Sequence, residues 1–258
     1  GDIRDTEQML NIVKNQEIVI NLAALIGIPY SYKSSRSYFE TNVMGLMNIL
    51  EASKIKKVKK IIHVSTSEVF GSPQYLPIDE KHRFFSQSPY AASKASADQL
   101  ALSYFNSFNL PVVIVRPFNT FGPRQSQRAV IPTIIIQILQ GKKVINLGSL
   151  NTYRDFNFVE DTCDAIIKLG ESSKTYGETY NIASKYFIQI KQITDLISQI
   201  MNKKVKVKTV KERTRKKKYE VNKLLGDNSK MKKVIKWSPK FSGKTKFKAG
   251  LDKTIKWY

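Results

Sequence analysis

The sequence predicts an α/β protein built on a parallel sheet, and two observations support this class. Short apolar runs rich in Val and Ile alternate along the chain with longer segments whose apolar residues recur at helical spacing. The chain has 258 residues, of which 41% are hydrophobic, so it can bury a sizeable core. Alternating strands and helices imply that helices cover the faces of the sheet.

The first half of the chain contains strongly patterned elements. In chain order, the predicted elements are the strand EIVINLAAL at 17–25, a long helix at 34–55, the strand KKIIHVS at 59–65, a second long helix at 88–108 and the strand LPVVIVRP at 110–117. The strand at 17–25 is expected to be buried. Ser88 is a suitable N-cap for the second helix, and Pro89 suits its first turn.

The second half continues the alternation and then becomes rich in lysine. The predicted elements are a helix at 129–140, a short strand at 141–148, a helix that follows RDFNFVED, a last strand of the main sheet at 178–183 and a helix at 189–201. The lysine-rich tail still carries spaced apolar residues. We therefore expect it to fold with the last helix as a smaller lobe.

The net charge of +22 comes largely from residues 202–258, which hold 21 Lys or Arg and four acidic residues. Only nine of the 43 basic residues are Arg, and the lysines are scattered along the chain. Base readers and phosphate clamps usually rely on Arg. We therefore expect a solvated basic surface and no nucleic-acid partner.

The chain shows no signal for secretion or membrane insertion. The longest apolar stretch, AVIPTIIIQIL, is about half a membrane span and contains Pro132 and Gln137. Cys163 is the single cysteine, so no disulfide can form within the chain. No signal peptide is visible at the N-terminus, and we expect a cytoplasmic protein.

Tyr90 and Lys94, in the run YAASK, lie four residues apart on a predicted helix and therefore on one face of it. A phenol ordinarily titrates near pH 10, and a neighbouring ammonium favours the phenolate. This pair suits a tyrosine used as a proton carrier. The spacing alone is common, and an ordinary surface Tyr–Lys pair is the alternative interpretation.

The wider set of motifs removes that ambiguity. STSEVFG at 65–71 follows a predicted strand, RPFNTFGP follows the next one, and GDIRD precedes the strand that ends in NLAA. Together with YAASK, these motifs resemble the extended short-chain dehydrogenase/reductase family, which includes the NAD-dependent nucleotide-sugar epimerases and dehydratases. The resemblance covers the whole chain. It implies a Rossmann-like doubly wound parallel sheet with a smaller C-terminal substrate lobe.

The resemblance implies roles for individual residues at the cofactor. Tyr90 exchanges the proton of the sugar 4-hydroxyl, and Lys94 holds the nicotinamide ribose and lowers the pKa of Tyr90. Asp2 and Ile3 match the pair that contacts adenine, Ala23 and Ala24 match the strand end beside NAD, and Pro117 and Phe118 flank the nicotinamide. Asn42 matches a residue that we expect to pin the long helix to the loop after the first strand.

Other residues match the substrate side of the family pattern. Thr66 is expected to hydrogen-bond the sugar 4-hydroxyl, and Asn119 to bind near the diphosphate. Arg154 and Arg215 match the diphosphate clamps, for which the rigid donor fork of Arg is well suited. The alternative for Arg154 is an ion pair with Asp155 or Asp161. No metal site is expected.

Glu68 indicates which reaction the family member performs. Simple 4-epimerases carry small or apolar residues after the catalytic Ser or Thr, whereas 4,6-dehydratases carry an acidic residue there. Oxidation at C4 makes the C5 proton acidic, so a carboxylate can remove it while water leaves from C6. Glu68 would be that base, and Ser67 would help the 6-hydroxyl to depart.

The TSE triplet resembles the GDP-mannose dehydratases, and several other stretches resemble dehydratases of nucleotide-linked N-acetylglucosamine in legionaminic-acid-type synthesis. Ser35 and Lys216 depart from that group, which tends to have Pro at both positions. The expected substrate is UDP- or GDP-N-acetylglucosamine or a related hexose. A 4-epimerase and a non-catalytic binding protein are the alternatives.

The glycine-rich GxxGxxG turn that opens the family pattern and binds the cofactor pyrophosphate does not occur in this sequence. We therefore expect an N-terminally truncated chain that by itself binds NAD poorly and is inactive. The predicted NAD-binding domain comprises 1–123 and 158–183, and the predicted substrate lobe comprises 124–157 and 184–258. The long helices 34–55 and 88–108 are expected to form a homodimer interface.

Overall fold

A computed structural model describes residues 1–210 and 221–258. Its helices are α1 (Thr6–Ile12), α2 (Ile28–Ser31), α3 (Ser35–Phe39), α4 (Gly45–Ile55), α5 (Pro89–Phe108), α6 (Val130–Leu139), α7 (Val159–Glu171), α8 (Ile190–Ile200), α9 (Ser229–Ile235) and α10 (Lys244–Trp257). Its strands are β1 (Ile18–Asn21), β2 (Lys60–Val64), β3 (Val112–Pro117), β4 (Asn119–Phe121), β5 (Val144–Leu147), β6 (Tyr153–Phe158), β7 (Thr179–Ile182), β8 (Phe187–Gln189), β9 (Lys206–Thr209) and β10 (Lys223–Leu224).

The main sheet has the order β1-β2-β3-β7, and each neighbouring pair is parallel. This confirms the predicted parallel sheet. The central strands β2 and β3 are buried along nearly their whole length, because α4 and α5 cover one face of the sheet and α7 covers the other. Such double coverage explains why these runs are apolar throughout.

The first strand differs from the prediction in length and in burial. β1 ends at Asn21, and Ile18 and Ile20 are 42% and 43% exposed, so the prediction of a buried strand over 17–25 was wrong. Within the described part of the chain, β1 pairs with β2 alone and forms the outer strand of the sheet. Val19 packs toward the α4 side, whereas Ile18 and Ile20 face the opposite side, where α7 packs against β2 and β3.

The predicted helix 34–55 is helical throughout but changes its winding. A π-helical turn at Glu40–Met44 separates α3 from α4. Asn42 lies in this turn and forms two hydrogen bonds with the backbone of Leu25, which follows β1. These bonds confirm that Asn42 pins the helical segment to the loop. Such π-helical insertions are frequent near functional sites.

The second long helix begins as predicted. The Ser88 hydroxyl accepts a hydrogen bond from the Ala91 N–H at 3.1 Å, and Pro89 occupies the first turn of α5. This cap fixes where the helix starts relative to the carboxyl end of β2. Tyr90 and Lys94 consequently lie in the first two turns of α5, next to the strand edge.

The remaining strands form two smaller sheets. β6 pairs in parallel with β10 and β4 and antiparallel with β8, and β5 pairs with β9. The strands β4, β6, β8 and β10 were not predicted. Three of them have two or three residues and therefore no measurable periodicity, and the sequence of β6 was assigned only as the segment that leads into α7. Aromatic and isoleucine side chains from α6, β6, α8 and α10 fill the core of this part.

The predicted domain division stays a prediction, and the structure adds one detail to it. Met231 of α9 and Trp237 after it are fully buried, they belong to the same apolar cluster as Ile62 and Val113 of the main sheet, and α9 packs on β7. The chain therefore returns to the main sheet close to its C-terminus. No helix in the two described segments combines the length and the apolar character that a membrane crossing needs.

Candidate active site

The carboxyl ends of the parallel strands bring the predicted site residues to one edge of the sheet. Asn21 pairs with His63, and His63 pairs with Ile114. Three residues beyond these partners, the chain reaches Ala24 after β1, Thr66 after β2 and Pro117 at the end of β3. These three residues therefore lie at a similar height along the strand direction. Open parallel sheets bind their ligands outside this edge.

The segment after β2 is a tight 3-10 turn, Ser67–Phe70, which Thr66 caps. The Thr66 hydroxyl accepts a hydrogen bond from the Glu68 N–H at 3.2 Å. Gly71 closes the turn with a φ of +58°, and a Cβ there would lie 2.0 Å from the carbonyl oxygen of Phe85. A glycine is therefore required next to the turn that presents Glu68.

Tyr90 lies beside this turn. Burial raises the pKa of Tyr90 to about 12, a hydrogen bond with the Thr66 side chain opposes the rise, and the charge of Glu68 adds to it. The ring of Tyr38 packs edge-on against that of Tyr90, with 6.2 Å between centroids. The structure thus brings Thr66, Glu68 and Tyr90 together, as the sequence predicts.

Lys94 is 2% exposed and donates a hydrogen bond to the carbonyl oxygen of Val64 at 2.7 Å. Burial lowers the pKa of Lys94 to about 8, and the charge of Asp98 opposes this shift. The sequence predicts a lowered pKa for Tyr90, but the pKa of Tyr90 is raised in this structure. The reason is that burial outweighs the other influences on the phenol.

Asn119 and Arg154 lie on adjacent strands of the second sheet. The Asn119 side chain donates to the carbonyl oxygen of Asp155 at 3.1 Å, and Arg154 donates to the carbonyl oxygen of Tyr153 at 2.9 Å. The carboxylate of Asp155 accepts hydrogen bonds from the backbone N–H groups of Ser184, Lys185 and Gly226. Asp155 therefore joins the loops that surround β6.

The other carboxylate proposed as a partner of Arg154 also has a structural role. Asp161 accepts hydrogen bonds from the N–H groups of Lys240 and Phe241, both at 2.8 Å. This ties the start of α7 to the segment that precedes α10. The second predicted diphosphate clamp, Arg215, lies outside the described residues.

The predicted adenine contacts lie at the N-terminal end of the chain. Asp2 forms an ion pair with Arg4 at 2.6 Å, which lowers the pKa of Asp2 to about 2. Ile3 packs so closely on α4 that a Cβ on Gly45 would lie 2.5 Å from its Cδ1. Asp2 is exposed and can meet a ligand, whereas much of Ile3 is committed to packing.

The predicted residues beside the nicotinamide differ in exposure. Ala23 is exposed and Ala24 and Pro117 are half-buried, so all three leave room for a ligand at the strand edge. Phe118 is 2% exposed and packs with Val69, Phe70 and the loop of Gly226. Phe118 is therefore a core residue that can support this region.

The donor chemistry fits the nicotinamide-ribose part of a dinucleotide. A phenol and an ammonium, both of which can bond ribose hydroxyls, reach the same strand edge as the small residues Ala23 and Ala24. In residues 1–210 and 221–258, no group of three His, Cys, Asp or Glu side chains is arranged to hold a metal ion.

Sequence reasoning missed a buried charged cluster behind Tyr90 and Lys94. His63, Asp98 and Arg116 are 0%, 0% and 3% exposed and contact one another. A possible signal was present, because charged residues within the otherwise apolar runs KIIHV and VVIVRP must be paired when buried. The partner on α5 could not be identified from that signal.

Comparisons with known proteins agree with this arrangement. Residues 1–253 match the family described as GDP-mannose 4,6 dehydratase. The chain is similar to the dTDP-D-glucose 4,6-dehydratase of Dictyostelium discoideum, with 36% identity over 204 residues that make up 73% of this chain. The chain spans about half the length of that curated relative, since the match covers 46% of it.

Two solved structures have the same fold. DesIV, a dTDP-glucose 4,6-dehydratase of Streptomyces venezuelae with NAD and TYD bound, is 27% identical with a TM-score of 0.91, covering 100% of this chain and 78% of that one. The UDP-N-acetylglucosamine 4-epimerase of Methanobrevibacter ruminantium M1, in complex with UDP-N-acetylmuramic acid, is 32% identical with a TM-score of 0.90 and coverages of 100% and 81%. These likenesses confirm the predicted Rossmann-like fold and the predicted resemblance.

Proposed function

Since this chain belongs to the family described as GDP-mannose 4,6 dehydratase, we propose that the protein is an NAD-dependent nucleotide-sugar 4,6-dehydratase, a lyase. The observation that carries the proposal is the position of Glu68. Its carboxylate is presented by a capped turn next to Thr66 and close enough to Tyr90 to raise the pKa of the phenol. An epimerase has no use for an acidic residue at this place.

When bound, NAD would supply the hydride acceptor for oxidation at C4 and the hydride source for reduction at C6. Lys94 and Tyr90 would hold the nicotinamide ribose, and Asp2 and Ile3 would contact adenine. Ala23, Ala24 and Pro117 would border the nicotinamide, and the buried Phe118 would support this region from the core. These assignments rest on the family pattern and on the common strand edge at which most of these residues lie.

Tyr90 and Thr66 act on the sugar 4-hydroxyl. The phenolate form of Tyr90 takes the hydroxyl proton as C4 becomes a ketone, while Thr66 orients the hydroxyl by a hydrogen bond. The existing Thr66–Tyr90 contact supports a shared position for their common target. The charge of the Lys94 ammonium favours the phenolate form of Tyr90 and so assists this proton transfer.

Glu68 and Ser67 perform the elimination. Once C4 is a ketone, the carbanion at C5 is delocalised into it, and the C5 proton becomes acidic. Glu68 takes this proton, the C5–H electron pair forms the C5=C6 double bond, and the C6–O bond breaks. Ser67, directly or through water, passes a proton to the departing 6-hydroxyl, which leaves as water, and Glu68 gives its proton back to C5 when a hydride is added at C6. The proton removed from the 4-hydroxyl balances the one carried away in the water. The half-buried position of Glu68 supports the role of a general base shielded from bulk water.

The substrate is a nucleoside diphosphate sugar, UDP- or GDP-N-acetylglucosamine or a related hexose. Asn119, Arg154 and Arg215 bind it near the diphosphate. The guanidinium groups of arginine suit a diphosphate, because they can donate two parallel hydrogen bonds to it. The substrate lobe would comprise 124–157 and 184–258, and the NAD-binding domain would comprise 1–123 and 158–183. The single cysteine, Cys163, is compatible with a cytoplasmic location.

The protein is further proposed to be a homodimer that associates through the 34–55 segment and α5. Both segments carry large apolar side chains that are about half exposed: Phe39 at 40%, Met44 at 48%, Ile55 at 57% and Phe108 at 52%. Large apolar side chains that stay exposed on two neighbouring helices support an interface there.

A 4-epimerase of the same family is the second candidate, favoured by the 32% identity to the archaeal UDP-N-acetylglucosamine 4-epimerase. The product separates the two. The complete protein, incubated with NAD and a panel of sugar nucleotides, should form a 4-keto-6-deoxy sugar that absorbs strongly in alkali. If the product is instead a hexose that is inverted at C4 and retains its 6-hydroxyl, the protein is a 4-epimerase and the dehydratase proposal is wrong.

A further inference from the structure

A buried ion pair lies directly behind the Tyr90–Lys94 pair. Arg116 of β3 donates from Nε to Asp98 of α5 at 2.9 Å, and both side chains are at most 3% exposed. On the other side of the carboxylate, His63 Nε2 of β2 lies 3.4 Å from Asp98 Oδ1. The cluster therefore joins two central strands of the sheet to the helix that carries the proposed proton carrier.

Stability alone does not explain this cluster. The charges must be removed from water, and well-packed apolar residues of similar volume often stabilise a core as well as a buried ion pair does. Burial acts to raise the pKa of Asp98, but His63 and Arg116 outweigh it, so the pKa of Asp98 lies below its ordinary value. Asp98 is therefore a carboxylate that stays ionised inside the core.

Asp98 lies one helical turn from Lys94 and on the same face of α5. Its charge is the influence that opposes the effect of burial on Lys94. Four titratable groups besides the pair itself influence this ammonium or its phenol: Asp98 of α5, His63 of β2, Tyr38 of α3 and Glu68 of the turn. Arg116 of β3 lies behind them, against Asp98. Burial lowers the pKa of His63 to about 4, so this imidazole is neutral at neutral pH.

The same ion pair also reaches the turn of the proposed elimination base. The Arg116 guanidinium lies over the ring of Phe70 at 5.2 Å and over that of Phe84 at 4.6 Å. Phe70 is the last residue of the 3-10 turn that contains Ser67 and Glu68. Arg116 thus contacts the α5 carboxylate and the Glu68 turn at once.

On the premise of the proposed function, we propose that Asp98 is a positioning residue that keeps the Lys94 ammonium charged and, through Arg116, holds the Glu68 turn against α5. Removal of the 4-hydroxyl proton needs the phenolate form of Tyr90, and a charged ammonium beside the phenol favours that form. Without the carboxylate, the ammonium loses its proton at a lower pH, and the resulting neutral amine no longer favours the phenolate. The pair then contains a neutral amine and a neutral phenol, which is the wrong form for taking the 4-hydroxyl proton.

The first test replaces the carboxylate by an amide of the same size in the complete protein, Asp98→Asn. Lysine labelled with ¹³C at Cε is titrated by NMR, and the Lys94 signal is assigned by its loss in Lys94→Met. A neighbouring opposite charge shifts a pKa by about 1–3 units. Asp98 lies one helical turn from Lys94, so the titration midpoint of Lys94 should fall by about that amount. Asp164→Asn is the matched control, because Asp164 pairs with Lys168 four residues away on the surface of α7. It should leave the Lys94 midpoint unchanged.

The second test measures the pH profile of kcat. If the Lys94 midpoint falls from about 8 to about 6, roughly one-tenth of Lys94 remains charged near pH 7. We therefore expect kcat to fall about tenfold at that pH, while KM for the sugar nucleotide changes little. The deficit relative to wild type should shrink as the pH is lowered. A purely structural defect would not become smaller in acid.

Asp98→Asn leaves the Arg116 charge buried without its partner, so the double variant Asp98→Asn/Arg116→Gln keeps the test decisive if the single variant does not fold. The double variant should also show the lowered Lys94 midpoint. An unchanged midpoint in a folded variant, or a wild-type kcat profile, overturns the proposal. If wild type converts no sugar nucleotide, the proposed function fails, and the Lys94 titration still decides the role of Asp98.

Discussion

The side-chain amide of Asn42 donates a hydrogen bond to the Ser93 hydroxyl at 2.9 Å, and this bond joins the π-helical turn to α5. Ser93 in turn donates to the carbonyl oxygen of Tyr90 at 2.8 Å. The two further bonds of Asn42 to Leu25 extend the connection to the loop after β1. One buried side chain thus sets the distance between the proposed cofactor edge and the proton carrier.

Replacement of Asn42 by Ala should lower the free energy of unfolding by about 2–3 kcal/mol. The reason is that the N–H and C=O groups of Leu25 lose partners in a partly buried place. Urea unfolding followed by circular dichroism measures the loss. Asn106→Ala, at an exposed position of α5, is the control and should stay within about 0.5 kcal/mol of wild type. Equal stabilities of the two variants would contradict the pinning role.

Replacement of Tyr90 by Phe should reduce turnover by about 10²–10⁴-fold, with binding of the sugar nucleotide largely retained. Only one hydroxyl is lost, and it acts mainly in the transition state. Single-turnover reduction of NAD and isothermal titration with the substrate separate the two effects. Tyr176→Phe, at a 38% exposed position, removes the same atom and should leave turnover unchanged. Normal turnover of the Tyr90 variant would remove Tyr90 from the mechanism.

The sequence was sufficient for the elements whose signals are local. The spacing of Tyr90 and Lys94, the Ser88 cap and the apolar runs of β2 and β3 each depend on residues within one element, and the structure has them as predicted. The buried cluster was not predictable in this way, because His63, Asp98 and Arg116 come from three elements. Their contacts depend on how α5 crosses the sheet, which no periodicity records.

The exposure of β1 was missed for a similar reason. An apolar run indicates a strand, but its burial depends on which other elements cover it. The raised pKa of Tyr90 was also missed, because the depth of the phenol in the folded chain is a tertiary property. From the sequence, the Lys94 ammonium was expected to dominate the pKa of Tyr90, whereas in the structure burial of the phenol dominates it.

The stability of the protein should decrease in mild acid because of His63. The folded pKa of about 4 lies below the ordinary value of 6.5, so the unfolded chain binds the proton first as the pH falls. The stabilisation is complete above pH 6.5 and is lost progressively down to about pH 4, by roughly 3 kcal/mol in total.

Urea unfolding between these pH values, with wild type and His63→Gln side by side, measures that loss. The variant should show a flatter dependence, because the titrating group has been removed. The chain has two histidines, and His82→Gln is the comparison, since the pKa of His82 is also lowered by burial. Identical slopes for wild type and His63→Gln would show that His63 does not titrate as expected.

The complete protein should be a dimer by light scattering, and charge introduced at the proposed interface should dissociate it. Phe108→Glu and Ile55→Glu place a carboxylate at positions that are 52% and 57% exposed at the ends of the two segments. A buried unpaired charge at an interface is strongly unfavourable. Ile167→Glu, at a 54% exposed position of α7, is the matched control and should remain dimeric. A monomeric wild type would exclude the proposed assembly.

Replacement of Glu68 by Gln should stop the elimination while C4 oxidation continues. Gln keeps the size of the side chain and removes the base, which typically costs about 10²–10⁴-fold. The variant should reduce bound NAD when substrate is added, because Tyr90 and Lys94 are unchanged, and should then accumulate a 4-keto hexose with little solvent deuterium at C5. Absorbance of NADH, followed by mass spectrometry of the product formed in deuterated water, records both steps. Glu160→Gln, which alters an exposed carboxylate paired with Lys253 at 2.9 Å, should give normal product. If the Glu68 variant exchanges C5 and forms the 6-deoxy sugar at the wild-type rate, Glu68 is not the base, and the epimerase becomes the better explanation of the site.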